Sequence, residues 1–117
     1  MAVLRIVADL HADNPQEIAG FYRDLLGLTV AMDMGFVVTL ADDGNQPPQV
    51  SIMCEGGSGT PTPHLSIEVD DLDGVLRAAN RMDLDLEYGP TDEPWGVRRF
   101  FLRDPAGRLL NILQHRD

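Results

Sequence analysis

The sequence predicts an α+β fold built from two copies of one βαβββ unit. Three observations carry this: an internal duplication, a strand period in the segment opening each copy, and a capped amphipathic helix after each opening strand. A shift of 57 residues places Val7 over His64, Asn14 over Asp71 and Ile18 over Val75. Towards the end of each copy the offset grows to 60, setting Ser51 over Asn111 and aligning the turns around Pro47 and Gly107. The modules span residues 3–55 and 63–115 of one domain covering 1–117, with 56–62 as linker.

Leu4, Ile6, Ala8 and Leu10 alternate with Arg5, Val7, Asp9 and His11, the period of a half-buried strand. A helix start follows, with Asn14 as N-cap, Pro15 in the first turn and Glu17 three residues on. Ile18, Phe21, Tyr22, Leu25 and Leu26 recur at helical spacing, and Gly27 ends the helix. Strands are expected near 28–32, 35–41 and 49–55, with Asp42-Asp43-Gly44-Asn45 as a turn. The midpoint segment Gly56–Pro63 is linker-like in composition, rich in Gly, Ser, Thr and Pro.

The second module repeats the plan. Leu65, Ile67 and Val69 alternate with His64, Ser66 and Glu68, and Asp71 caps a helix whose apolar face is Val75, Leu76, Ala79 and Met82. Strands near 84–88, 97–103 and 108–115 follow, the last two joined by Asp104-Pro105-Ala106-Gly107, a tight turn by its residue types. Strand phase then assigns faces. Leu4/Ile6/Ala8, Val50/Ile52/Cys54 and Leu65/Ile67/Val69 are expected beneath the helices. Val7/Asp9/His11, Ser51/Met53/Glu55, His64/Ser66/Glu68 and Leu109/Asn111/Leu113 are expected on the opposite faces. A mixed apolar and polar face of this kind suits a small organic ligand, in a cavity formed where the two modules pack together.

The chain carries a formal charge of −10, which opposes nucleic-acid binding and is compatible with a cationic ligand or simply a solvated acidic surface. No apolar run approaches the ~20 residues of a membrane span, and no signal peptide is apparent. The single cysteine, Cys54, allows neither an internal disulfide nor a cysteine zinc site, so a cytoplasmic setting is expected.

With Phe21-Tyr22-x-x-Leu25-Leu26-Gly27-Leu28, Val69-Asp70-Asp71-Leu72, Trp95-Gly96 and Asp104-Pro105-x-Gly107-Arg108-Leu109 in place, the chain resembles the vicinal-oxygen-chelate superfamily. That group includes glyoxalase I, extradiol dioxygenases and bleomycin-resistance proteins. The resemblance implies paired βαβββ modules whose sheets curl around a cavity, often completed by dimerisation. In its metal-dependent members one ligand stands on the first strand and one on the last strand of each module. Those positions here hold Val7, Ser51, His64 and Asn111. Only His64 is a good ligand for a first-row metal, where a catalytic site needs about three. Neither a metal nor any other cofactor is therefore expected.

The expected ligand-binding residues are Trp95, His64, Asn111, Ser51, Met53, Phe101 and Arg99. Asn111 can read a carbonyl or an amide, or can hold His64 in place; His64 can contact ligand or be satisfied by a backbone carbonyl. Trp95, in the loop 91–96, can close over a ligand or plug a core or dimer contact. Arg98 and Arg99 fall on opposite strand faces, so one can meet an anionic group. His11 and His115 are expected to face solvent, and Tyr22 the core. The leading functional expectation is a metal-free homodimeric protein binding a small, partly aromatic or cationic molecule. A divalent-metal lyase, isomerase or dioxygenase, and a metal-free enzyme using His64 or Glu68 as base, are the alternatives.

Overall fold

Eight strands and two helices follow one another as β1 Val3–His11, α1 Pro15–Leu26, β2 Thr29–Asp33, β3 Val37–Ala41, β4 Gln49–Met53, β5 Leu65–Val69, α2 Leu72–Arg81, β6 Leu86–Asp92, β7 Val97–Arg103 and β8 Leu109–His115 in the computed structural model. The structure describes residues 2–42 and 49–116; most of the turn expected at 42–45, and the one around Pro47, lie outside them. The chain divides into a unit of Val7–Thr62 and a unit of Met1–Ile6 with Pro63–Asp117, so that β1 contributes its first half to one and its second half to the other.

In the Val7–Thr62 unit the strand order is β2-β3-β4-β1. The β1 and β4 strands are parallel, a pairing that needs a long connection, which α1, β2 and β3 supply, while β3 runs antiparallel to both neighbours. In the other unit the order is β1-β5-β8-β7-β6, with β5 and β8 parallel and β7 antiparallel to β8 and β6. The mixed α+β architecture of two βαβββ modules is what the duplication predicts. Its register agrees too: Asp9 lies opposite Ser51 and Ser66 opposite Asn111, the same pair displaced by 57 and 60 residues.

Both helix starts form as read. The Asn14 side chain accepts from the Glu17 N–H, Pro15 begins the helix, and Gly27 closes α1 at φ 72°, where a Cβ would be strained. Asp71 accepts from the Gly74 N–H at the start of α2. Leu72 and Ala79 of α2 pack on Val69, Phe100, Leu102 and Ile112 of the sheet, flanked by Val75 and Leu76 of the helix and by Ile67 and Leu110. Ala19 of α1 packs on Val38, Leu40 and Ile52 of the sheet, flanked by Tyr22 of the helix and by Leu28 and Val50.

Several residues depart from expectation. Leu4 and Ile6 are exposed rather than covered by a helix, and Met82 is an exposed C-cap rather than part of the α2 apolar face. Helix α1 has an apolar arc wider than its sheet contact. Pro15 and Ala19 are buried and Tyr22 faces the core, whereas Phe21, Leu25 and Leu26 remain 60%, 65% and 60% exposed. Residues 21 and 25 lie about a quarter-turn away from the line 15-19-22, so one helix side cannot bury both rows. Strand β6 begins two residues later than read and runs on to Asp92, which shortens the Trp95 loop to 93–96.

The segment read as a linker is tied by backbone bonds. Gly56 N–H donates to Thr60 O at 2.8 Å, Thr60 N–H to Gly57 O at 3.0 Å, and Gly56, Gly57, Thr60 and Pro63 are buried.

Candidate functional site

The face of the Pro63–Asp117 unit turned away from α2 gathers most of the polar chemistry. Strand alternation brings there His64, Ser66 and Glu68 at and along β5, Leu109, Asn111, Leu113 and His115 from β8, and Arg99 and Phe101 from β7. Register then sets a cross-strand row, with Ser66 opposite Asn111, Asn111 opposite Phe101, and Phe101 opposite Tyr88.

Asn111 is 8% exposed, and its Nδ2 donates to the Ser66 hydroxyl at 3.0 Å. Its Oδ1 is buried and has no hydrogen-bond partner among the described residues. Asn111 therefore does not hold His64. That ring is held by Leu109 instead: His64 N–H donates to Leu109 O at 2.8 Å, and Leu109 N–H donates to His64 Nδ1 at 3.1 Å. A neutral imidazole has one acceptor nitrogen and one N–H. With Nδ1 accepting, the proton is on Nε2, and His64 presents an N–H donor.

Arg99 sits in an aromatic shell. Its guanidinium carbon lies 5.4 Å from the Tyr88 ring centroid, 4.9 Å from Trp95 and 4.8 Å from Phe101. Glu93 meets it at 2.6 Å from Nε and 2.5 Å from Nη2, the two side chains being 3% and 4% exposed. Tyr88 OH donates to both Glu93 oxygens, at 3.2 and 3.0 Å. The sequence reading missed Glu93, which stands six residues from Arg99 across a four-residue loop. That loop is closed by Glu93 N–H to Val97 O and Gly96 N–H to Glu93 O. Its Trp95 is half-buried over the guanidinium. Strand β6 bulges here, and Gly89 permits it: a Cβ at Gly89 would come within 2.5 Å of the Arg99 carbonyl oxygen. Arg98, on the other face, pairs with Asp73 at 2.9 Å.

Glu68, named from the sequence as an alternative base, has partners that the sequence did not show. Its carboxylate takes Arg5 Nε at 2.6 Å and His115 Nδ1 at 2.7 Å. The signal was present in strand phase, since positions 68 and 115 share a face, but their pairing depends on the β5–β8 register.

Ser51 and Met53 occupy the corresponding face of the Val7–Thr62 unit and are buried there with Val7, Asp9 and Thr39. Ser51 and Thr39 hydroxyls are 2.8 Å apart. His11 is exposed and bonds Thr62 at 3.1 Å. The Asp104 turn forms as read: its carboxylate accepts from Ala106 N–H and Arg108 N–H, both at 2.9 Å.

Comparison with known proteins adds the family. The model for the Glyoxalase/Bleomycin resistance protein/Dioxygenase superfamily matches residues 5–112. The chain belongs to this superfamily. Similar solved folds include a Legionella pneumophila protein described as an NAD-dependent benzaldehyde dehydrogenase, at 16% identity and TM-score 0.78, covering 96% of this chain and 100% of that one. A glyoxalase/bleomycin resistance protein/dioxygenase superfamily member from Vibrio splendidus is 19% identical, with TM-score 0.67 and coverage of 97% and 99%. A variant methylmalonyl-CoA epimerase from Streptomyces coelicolor, bound to 2-nitronate-propionyl-CoA, is 15% identical, with TM-score 0.72 and coverage of 97% and 99%. No significant match joins the sequence to a curated protein.

The four positions at which the superfamily resemblance implies metal ligands do not suit a divalent ion. Val7 has no donor atom, Asn111 and Ser51 are neutral oxygen donors, and the His64 lone pair already accepts the Leu109 N–H. Coordination through Nε2 would move the proton to Nδ1 and aim it at that N–H, whereas a ligating histidine donates its second nitrogen to an acceptor. No group of three His, Cys, Asp or Glu side chains able to hold an ion occurs among the described residues. No described helix is long and apolar enough to cross a membrane.

Proposed function

We propose that this superfamily member is a metal-free protein that binds a small organic molecule, in the manner of bleomycin-resistance-type proteins. The observation that carries this reading is the Leu109 N–H to His64 Nδ1 bond, which leaves the best candidate ligand without a lone pair to offer a metal. His64, Ser66 and Asn111 are the proposed polar contacts, on the face that also holds Phe101 and the loop bearing Trp95. Arg99 contributes by fixing that loop. Ser51 and Met53 are proposed small-molecule contacts on the face of the Val7–Thr62 unit taken by itself.

The test is metal analysis of protein purified without added ions, followed by titration with nickel, zinc and manganese while the His64 ring nitrogens are followed by NMR. Metal far below one ion per chain, with ring shifts that keep an Nε2–H, is the expected result. One tightly held ion per chain, lost in His64→Ala, would refute the reading and favour a metal-dependent lyase, isomerase or dioxygenase.

A second reading is favoured by the Glu68–His115 contact. A carboxylate on Nδ1 orients the ring and leaves Nε2 as an acceptor, the arrangement of a general base. Under this reading the protein is a metal-free acid–base enzyme, and its activity falls by orders of magnitude in His115→Gln.

We also propose a cytoplasmic homodimer. Support comes from the lone cysteine and from the outer row of α1, where Ile18, Phe21 and Leu25 form an apolar stripe that stays exposed among the described residues. Light scattering at micromolar concentration should give the mass of two chains, and that of one chain for Phe21→Glu with Leu25→Glu. A single-chain mass for the unaltered protein would end the dimer proposal.

A further inference from the structure

Asn111 Oδ1 is the telling atom. A buried amide oxygen without a donor costs about 1–3 kcal/mol, so such groups are rare in folded proteins unless something completes them. Ser66 takes only one end of the amide, and whichever way that amide is turned, its other end is left unmatched. His64 stands two residues before Ser66 on the same strand face, presenting Nε2–H. One face thus offers an unused acceptor and an unused donor, roughly 7 Å apart along the strands.

The charged groups around them are already neutralised. Arg99 meets Glu93, and Glu68 meets both Arg5 and His115. A charged ligand group would find no counter-charge set aside for it, whereas a neutral dipole would find both halves of its match. Leu109, Leu113 and Phe101, all buried on this face, add apolar surface.

Resting on the small-molecule-binding reading, we infer that this face recognises a neutral carboxamide: the ligand N–H donates to Asn111 Oδ1, and its carbonyl accepts from His64 Nε2–H. No bond is made or broken. The test titrates the full chain with benzamide, N,N-dimethylbenzamide and benzoate at neutral pH, following the Asn111 side-chain amide and the backbone amides of β5 and β8 by NMR. Benzamide should bind about tenfold more tightly than either analogue, since the first analogue lacks the N–H and the second is charged. In Asn111→Val that preference should vanish. Equal binding of all three probes would overturn the carboxamide assignment while leaving small-molecule binding intact. Absence of any shift in β5 and β8 with all three would overturn it as well, and the metal titration would then judge the broader reading separately.

Discussion

Replacing Glu93 by Gln tests the buried centre that holds the Trp95 loop. In the native protein one carboxylate oxygen receives both Arg99 Nε and Nη2, and Tyr88 OH spans both oxygens. Glutamine keeps the shape but offers one acceptor and one NH2, and that NH2 must face either the guanidinium or the tyrosine hydroxyl. Arg99 keeps its charge because a guanidinium is not deprotonated inside a protein, and its side chain is only 3% exposed, so water cannot take over the lost compensation. Breaking a buried pair from one side costs about 3–5 kcal/mol. A domain of this size holds about 5–15 kcal/mol in all, so Glu93→Gln should lower the melting temperature by roughly 10 °C or more. Urea unfolding followed by both far-ultraviolet circular dichroism and tryptophan emission is the assay, since Trp95 is the chain's one tryptophan and lies 4.9 Å from the guanidinium. Combining Glu93→Gln with Arg99→Met should lose less than Glu93→Gln alone, because the second change removes the stranded charge. A loss below about 1 kcal/mol for the single variant would refute the reasoning, showing that the guanidinium reaches solvent without rearrangement.

Asn111→Val should hold stability level or raise it by about 1 kcal/mol: it removes a stranded acceptor, suits a strand, and leaves the half-buried Ser66 hydroxyl able to turn to water. Calorimetry showing a loss above about 1 kcal/mol would mean that Asn111 is a structural rather than a ligand-facing group. Trp95→Ala should destabilise by about 1–3 kcal/mol through lost burial and the lost ring over Arg99, and should weaken ligand binding about tenfold. Unchanged affinity in that variant would remove Trp95 from the site. The backbone N–H of Arg108, with further bonds from the Arg108 side chain and the Ala106 N–H, holds the Asp104 carboxyl below its ordinary range. Its stabilising contribution is present above the ordinary carboxylate value and fades as pH falls through the lowered one. Acid titration of Asp104→Asn should therefore show a shallower loss of stability in that window, and a slope identical to the unaltered protein would contradict this.

The parts of the molecule legible in sequence are those decided by neighbours along the chain. Asn14 and Asp71 cap because a short polar side chain reaches an N–H three residues on, wherever the helix later packs. The Asp104 turn and the assignment of Ile67 and Val69 to the α2 side follow from the same local geometry. The duplication carried one long-range fact as well, because equal offsets demand equal registers, and Asp9–Ser51 and Ser66–Asn111 obey them. Ambiguity begins where a residue type is right for two environments: Leu4, Ile6, Phe21 and Leu25 are core-like in pattern yet exposed in this chain.

Fold class, the helix boundaries at Asn14, Gly27 and Asp71, the faces of β5 and the poverty of metal ligands at Val7, Ser51, His64 and Asn111 were thus determined by the sequence alone, since each depends on residue chemistry and on periods of 2 and 3.6. The tertiary structure decided which atoms of those residues remain available. Leu109 takes the His64 lone pair, Ser66 takes one end of Asn111, Glu93 takes the charge of Arg99, and Glu68 takes His115. Hydrogen bonds of about 3 Å are set by register, bulge and rotamer together, and a displacement of an ångström, invisible to any spacing rule, makes or breaks them.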